Sequence, residues 1–318
     1  MELENKPPNT PLAQQRMKYW KLNLSNLHKG IMYNSCGMLL IILGILLILA
    51  SESVIEYSKR YDDLDSCKPR KGLDCEIEFH ITEHMKGDVF LYYQINNMYQ
   101  NHRKYSKSLN PKQLKGSDLS KDDIESTCDP VLEIKNLHRD IMVNLSRTDV
   151  ANPCGLVAKS YFNDTFSLYQ KDSNKTVKIH ENDIAFPRDK DDKFRNSSDV
   201  DKKRWTDVTD EHFIVWNSIA VTKNFRKLWG RINGLDKGRY IMKINSLYDV
   251  SDFNGEKHVV LTTLSVLGGK MPYLGILCIA IGVSSIVGSV VFFILHRKIK
   301  KEIDSSMRSS RISHQSLS

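Results

Sequence analysis

Two long apolar stretches constrain this chain more than any other feature. Met38 to Ala50 reads MLLIILGILLILA, and with Ile31 to Cys36 and Ser51 to Val54 on its flanks it gives a run over 31–54. Met271 to Leu295 reads MPYLGILCIAIGVSSIVGSVVFFIL, without one charged residue. A helix needs about 20 predominantly apolar residues to cross a hydrocarbon core of about 30 Å. Both stretches therefore predict transmembrane helices. A buried core helix does not need so long a charge-free run. A cleaved signal peptide ending at Ala50-Ser51 is the other reading of the first stretch, and the long polar segment 1–30 before it argues against that.

Lysine and arginine near helix ends set orientation, because positive loops stay in the cytosol. Arg297, Lys298, Lys300, Lys301, Arg308 and Arg311 follow the second stretch, while only Lys257 and Lys270 closely precede it. The first stretch is ambiguous, with Arg16, Lys18, Lys21 and Lys29 before it and Lys59, Arg60, Lys68, Arg70 and Lys71 after it. Two spans force both termini onto one side, so the second helix decides. The expected organisation is a cytosolic tail at 1–30, a span at 31–54, an extracytoplasmic domain at 55–270, a span at 271–295 and a cytosolic tail at 296–318. The net charge of +8 gathers at the cytosolic ends, where it faces anionic membrane lipids, and gives no reason to expect nucleic acid.

Cysteines and sequons fit that topology. Cys36 and Cys278 lie in or beside the spans and read as packing residues. Cys67, Cys75, Cys128 and Cys154 all fall in the 55–270 domain, and an even number in an oxidising compartment implies two disulfides. Of three possible connectivities the sequential one is favoured, Cys67–Cys75 with Cys128–Cys154. A zinc site is the competing use, but no CxxC pair occurs. Glycan acceptors of the Asn-x-Ser/Thr type occur at Asn144, Asn163, Asn174 and Asn196, all in the same domain.

Within that domain, period-2 patterns predict strands at Glu76–Thr82, at Asp88–Tyr93 and through Tyr240, Met242 and Ile244. Val259–Val266 reads as a strand buried on both faces, and Phe213–Trp216 (FIVW) as another strand. Helices are predicted over 96–105 and from Asn224, where Phe225, Leu228, Trp229 and Ile232 recur at i, i+3, i+4 and i+7. The charged stretches 106–127 and 187–204 read as surface loops. The expected fold class is thus two transmembrane helices flanking a mainly β, antiparallel domain of two packed sheets with short helices and long loops.

Catalytic motifs fail on context. His80-Ile81-Thr82-Glu83-His84 matches H-x-x-E-H, but that zinc chemistry needs a helix, and here the residues continue a strand whose alternation turns Glu83 away from both histidines. Gly268-Gly269-Lys270 lacks the rest of a phosphate-binding loop and reads as a turn at the membrane. No G-x-S-x-G elbow occurs, and the spans hold no ionisable Asp, Glu, Lys, Arg or His. No cofactor is expected. The spans do hold small residues, Gly44, Gly275, Ala280, Gly282, Ser284, Ser285, Gly288 and Ser289, which let helices approach closely. They serve either a partner's helices or each other.

Several stretches resemble the β-subunit family of the type-IV P-type ATPases, the phospholipid flippases. They are Asn9–Leu24 (NTPLAQQRMKYWKLNL), Gly87–Ser108 (GDVFLYYQINNMYQNHRKYSKS), Asn152–Phe166 (NPCGLVAKSYFNDTF), Asp210–Ile232 (DEHFIVWNSIAVTKNFRKLWGRI) and Gly238–Gly282, including the GGK before the last span. The resemblance implies a non-catalytic accessory subunit that forms a heterodimer with a type-IV ATPase. It implies roles in folding the ATPase, in its export from the endoplasmic reticulum and in holding its phosphorylated states. Residence in the endoplasmic reticulum, Golgi, endosomal or plasma membrane follows from it. Asn163 matches a family glycosylation site, and Cys128 and Cys154 match its second disulfide region. The family nests a further cysteine pair inside its first bridge, where this chain has only Cys67 and Cys75, and Leu12 stands where an aromatic is expected. A stand-alone receptor or adhesion protein is the alternative from another class, and a membrane-tethered hydrolase a second.

Overall fold

A computed structural model of the protein describes residues 8–18, 24–69, 74–137, 145–196, 203–265 and 268–315. The chain divides into two units, residues 1–51 with 271–318, and residues 52–270. The first unit is built on helices α1 (Asn26–Glu52) and α8 (Pro272–Gln315). Their large side chains are open: Leu39, Ile42, Leu46 and Leu49 on α1, and Ile276, Leu277, Val283 and Val287 on α8, are all exposed. Helices of the core of a soluble domain hide such residues, so these two are membrane helices, and the protein is a membrane protein. Helix α8 continues well past the apolar run. Residues 297–308 include Lys, Arg, Ile, Glu and Met, with neither Gly nor Pro to stop the helix.

The second unit holds strands β1 (Glu56–Arg60), β2 (Asp74–Ile81), β3 (Met85–Asn96), β4 (Thr165–Gln170), β5 (Lys175–Val177), β6 (Phe225–Leu235), β7 (Gly238–Asn245) and β8 (Glu256–Thr262). Short helices α2 (Arg103–Lys107), α3 (Pro111–Leu114), α4 (Lys121–Cys128), α5 (Leu156–Lys159), α6 (Pro187–Asp192) and α7 (Glu211–Asn217) fill the connections. The strands form two antiparallel sheets, in the orders β1-β8-β3-β6 and β2-β7-β4-β5. Alternation sets the inner faces. Ile77, Phe79, Ile81, Tyr240, Met242, Ile244, Phe166 and Leu168 point in from one sheet. Val89, Leu91, Tyr93, Ile95, Val259, Leu261 and Trp229 meet them from the other. An aromatic cluster fills the centre: Tyr93 stacks on Phe162 at 3.9 Å, and Trp229 sits edge-on to Phe166 at 5.1 Å.

Four sequence expectations need correction here. Phe213–Trp216 lies in helix α7, started by Asp210, whose side chain accepts the His212 N–H at 2.9 Å. Asn224 onward is strand β6, not a helix. Its register shifts between Leu91/Tyr92 and Gly230/Leu228, so Trp229 is the extra residue of a β-bulge. A strand step of four from Phe225 to Trp229, then a bulge-shifted step of three to Ile232, imitates helical spacing. The helix expected over 96–105 shrinks to α2, because β3 runs on to Asn96 and Asn97 turns the chain at φ 64°. The expected loops 106–127 and 187–204 contain α3, α4 and α6 and bury Leu114, Ile124, Phe194 and Arg204. Apolar residues spaced this widely leave no periodic signal.

Candidate partner-binding elements

The membrane pair has a glycine seam. Gly30, Gly37, Gly44 and Ser51 are the buried residues of α1, spaced by seven. A Cβ on Gly37 would lie 2.7 Å from the carbonyl oxygen of Gly282, and one on Gly44 2.7 Å from that of Gly275. The pairing 37 with 282 and 44 with 275 makes the helices antiparallel. Backbones this close leave no room for any side chain at these positions. The seven-residue period is 3.5 per turn and keeps the seam facing the partner in a left-handed pair. Tyr33 and Phe292 close one end, with ring centroids 5.4 Å apart. At the other end the Met271 N–H donates to Ser51 Oγ at 2.9 Å.

Of the small residues read from the sequence, Gly44, Gly275, Gly282 and Ser289 are therefore used within the chain. Ala280 and Ser284 are exposed. Cys36 is exposed on α1, so it is not a packing residue of the pair, while Cys278 is half-buried. At the N-terminal side, residues 8–18 form a compact turn in which Arg16 N–H donates to Pro11 O at 2.7 Å and the Arg16 guanidinium to Asn9 Oδ1 at 2.7 Å.

The 52–270 unit is braced by buried polar groups. Lys257 Nζ meets Asp164 Oδ2 at 2.7 Å, Ser246 Oγ at 2.9 Å and Tyr248 O at 2.6 Å. Asp164 is fully buried and also accepts from Tyr61 Oη at 2.6 Å and from the Leu247 and Tyr248 N–H groups at 2.6 and 2.5 Å. Every oxygen of the carboxylate is thus satisfied, which is the condition for burying a charge. Burial and the Asp164 charge push the Tyr61 hydroxyl well above its usual pKa. Lys227 is another buried cation. It reaches the carbonyls of Val215, Trp216 and Ser218 at the C-terminal end of α7, where a positive charge suits the helix dipole. Burial still lowers its pKa to about 8.

The structure bonds Cys67 to Cys75 and Cys128 to Cys154, with Cα–Cα distances of 5.0 and 5.7 Å. The first ties β2 to the turn before it, and the second ties α4 to the turn before α5. Asn144 lies outside the described residues. Asn163 is half-buried just before β4, with its Oδ1 buried and without a hydrogen-bond partner among the described residues. Asn174 is exposed in the β4–β5 turn at φ 50°. Asn196 follows Phe194 and Arg195 and is held through its side chain. No signal in the sequence separates these sequons.

The remaining motifs fall on ordinary structure. His80 is exposed on the outer face of β2, and His84 lies beyond the strand, with Nδ1 2.9 Å from Asp236 Oδ1. Gly268, at φ 101°, exchanges two backbone hydrogen bonds with Ser265. The aromatic segments near 90–105 and 213–232 are chiefly core: Tyr93, Phe213, Trp216, Phe225 and Trp229 are buried, while Tyr99 is exposed. The buried hub at Lys257 and Asp164 was missed from the sequence. A lysine two residues ahead of the β-branched pair Val259-Val260 was its one visible trace.

Comparison with known proteins fits this architecture. The sequence profile of the LEM3 (ligand-effect modulator 3) family / CDC50 family matches residues 47–302. The chain is 31% identical to cell cycle control protein 50A of Bos taurus, over 93% of this chain and 90% of that one. It is 31% identical to ALA-interacting subunit 3 of Arabidopsis thaliana, over 82% and 77%. It is 28% identical to the phospholipid-transporting ATPase accessory subunit CRF1 of Saccharomyces cerevisiae, over 91% and 84%. A profile match over residues 47–302, with 31% identity to a relative over 93% of this chain, shows that this chain belongs to the LEM3/CDC50 family.

Proposed function

We propose that this chain is the non-catalytic accessory subunit of a phospholipid-translocating type-IV P-type ATPase, with which it forms an obligate heterodimer. The observation that carries the reading is family membership along nearly the whole chain, with relatives named as ATPase accessory and ALA-interacting subunits. The fold supports it: a membrane hairpin locked on its own seam presents its open apolar side chains outward, to lipid and to a partner's helices. Both termini are cytosolic, and the domain within 55–270 lies on the exoplasmic side, where Cys67–Cys75 and Cys128–Cys154 form and the sequons are glycosylated. The chain assists folding of the ATPase and its export from the endoplasmic reticulum, and works in the endoplasmic reticulum, Golgi, endosomal or plasma membrane. An obligate contact of this kind buries more than about 2,000 Å² in total. It is spread over the spans, the exoplasmic domain and the N-terminal segment.

Co-expression tests the proposal. The chain should purify with a type-IV ATPase in mild detergent. The pair should show phospholipid-dependent ATP hydrolysis that neither chain shows alone. Export and full activity of every type-IV ATPase of the source organism without this chain would refute it. Protease added to sealed vesicles should trim only the two ends, and cleavage within 55–270 would overturn the topology.

A further inference from the structure

Charge is unevenly placed on the two-sheet domain. Many of its cations meet carboxylates: Lys171 reaches Glu78 at 2.8 Å, and Lys190 reaches Glu211 and Arg239 reaches Asp172 at 2.7 Å. Three segments differ. Residues 99–117, 155–163 and 217–228 contain no Asp or Glu. Hydrogen bonds bring these segments together. Asn101 Nδ2 donates to Val221 O at 2.7 Å, and the Ala220 N–H donates to Gln100 Oε1 at 3.0 Å. The Leu156 N–H donates to Ser108 Oγ at 2.9 Å, and Tyr105 Oη lies 2.7 Å from Ser160 Oγ. The joined surface carries Arg103, Lys104 and Lys107 on α2, Lys159 on α5, and Lys223 just before β6. None of these five cations makes an ion pair among the described residues. Lys112 on α3 is not counted with them, because it lies near Asp123 of α4, whose pKa it helps to lower.

Arg103, Lys104 and Lys107 fall within an arc of about 100° on α2. All three are exposed, while Tyr105 and Ser106 turn toward the domain. Beside them Tyr99 is 55% exposed and Val221 81%. The domain's cavities of 340 and 660 Å³ take in none of the five cations. A compact anion needs a pocket, whereas a linear polyanion needs only a run of point charges to lie across. Four of the five are lysines. An ammonium on a flexible stem is such a point charge, while recognition of peptide carboxylates favours the planar fork of arginine. Sulfate esters spaced along a chain of sugar rings match point charges, and an exposed tyrosine ring offers a flat apolar face with a polar tip to a sugar. The segment from His102 to Lys107 (HRKYSK) is also the kind of short basic run that marks polyanion-binding patches.

We propose that the surface of Arg103, Lys104, Lys107, Lys159 and Lys223, with Tyr99 beside them, binds a linear sulfated polysaccharide. That such a chain meets the domain in a cell rests on the topology proposed above, and the binding itself does not. The test uses the full chain in mild detergent and a heparin oligosaccharide of defined size, with affinity measured over a range of salt. The triple variant Arg103→Gln, Lys104→Gln, Lys107→Gln should bind at least roughly tenfold more weakly near physiological salt. Its log–log salt dependence should be shallower by about 2–3, since each lost contact releases about one counter-ion fewer. A matched variant, Lys86→Gln, Lys178→Gln, Lys237→Gln, removes the same charge from exposed sites elsewhere on the domain and should change neither quantity. The basic residues at 297–301 contribute alike in every variant. Tyr99→Ser should weaken binding by about 2- to 10-fold with the salt slope unchanged, because a ring face releases no counter-ion. Equal behaviour of the two triple variants overturns the proposal, and so does equal affinity for desulfated heparin. Tighter binding of poly-L-glutamate of matched length would assign the surface to an acidic peptide instead. If the α2 variant does not fold, Lys223→Gln in its turn and Tyr99→Ser decide the same question. Protease protection of sealed vesicles reads the topology separately, so a failure there leaves the binding result standing.

Discussion

Lys257 offers the sharpest perturbation of the two-sheet domain. Its ammonium is the one cation within bonding reach of Asp164 among the described residues, and both side chains are at most 1% exposed. Lys257→Met keeps the length of the stem and removes the charge. Asp164 then keeps three donors, Tyr61 Oη and two backbone N–H groups, and no counter-ion. Leaving one charge of a buried pair uncompensated costs about 3–5 kcal/mol. For a domain of this size that lowers the thermal midpoint by roughly 6–20 °C. Asp164→Asn should cost about as much, since it strands the lysine, and it preserves the Asn163 sequon because Thr165 is untouched. The double variant removes both charges, and the amide oxygen that replaces the carboxylate can still accept from the Leu247 and Tyr248 N–H groups. It should therefore fall near one single variant, with a loss well below the sum of the two. The assay is tryptophan fluorescence of the full chain in detergent at one scan rate, with Trp216 and Trp229 reporting from the core. Additivity of the two substitutions within about 0.5 kcal/mol would refute the coupling and with it the idea that the pair acts as one unit.

Lys227 gives a pH signature. Its folded pKa of about 8 lies below the usual lysine value of 10.5, so the unfolded chain binds the extra proton. The destabilisation is fully present below pH 8 and fades as pH rises toward 10.5, by up to about 3 kcal/mol. Lys227→Met should lose that rise relative to the parent, and parallel pH–stability curves for the two would count against it. Among the cysteines, removing the Cys128–Cys154 pair should destabilise more than removing Cys67–Cys75, about 3.5 against about 2.5 kcal/mol on loop-closure entropy for separations of 26 and 8 residues. Non-reducing peptide mapping checks the pairing, and thermal melts of the paired Cys→Ala variants check the order. Gly44→Leu should break the membrane pair and abolish recovery of the ATPase, whereas Ala280→Leu, on the exposed face of α8, should leave the pair intact; equal behaviour in a cross-linking assay between α1 and α8 would contradict the seam.

Much of the architecture was legible because its causes are local. Charge-free length announces a membrane helix whatever the rest of the chain does. Strands β2 and β7 alternate cleanly, since each has one face on the core and one in solvent. The errors lie where tertiary structure changes the local period. The bulge at Trp229 converted a strand into apparent helical spacing. Helix α7 is short enough that four consecutive apolar residues outweighed Asp210 and Glu211, the N-terminal signals that were present in the sequence. The Lys257–Asp164 hub joins residues 93 apart, and nothing in the local pattern pairs them. The sequons illustrate the same limit from the chemical side. The acceptor motif is three residues long, but the partners that occupy the Asn196 amide come from Arg204, Asp207 and Thr209.

The small residues of the spans show how spacing separates two uses that composition merges. On α1 and α8 the buried small residues recur every seven, Gly30, Gly37, Gly44 and Ser51 against Gly275, Gly282 and Ser289. A seven-residue period keeps one face toward one antiparallel neighbour turn after turn, which is what a permanent internal pair requires. Ala280 and Ser284 are spaced by four and sit away from that seam, and they are exposed. In lipid, association depends on close packing because no hydrophobic effect drives helices together. A substitution in the seam therefore disorders the surface offered to the ATPase without touching it. Loss of partner binding in Gly37 or Gly282 variants is then a statement about the hairpin, and only the distance between Tyr33 and Phe292, read by engineered cross-links, tells such a residue from a true contact.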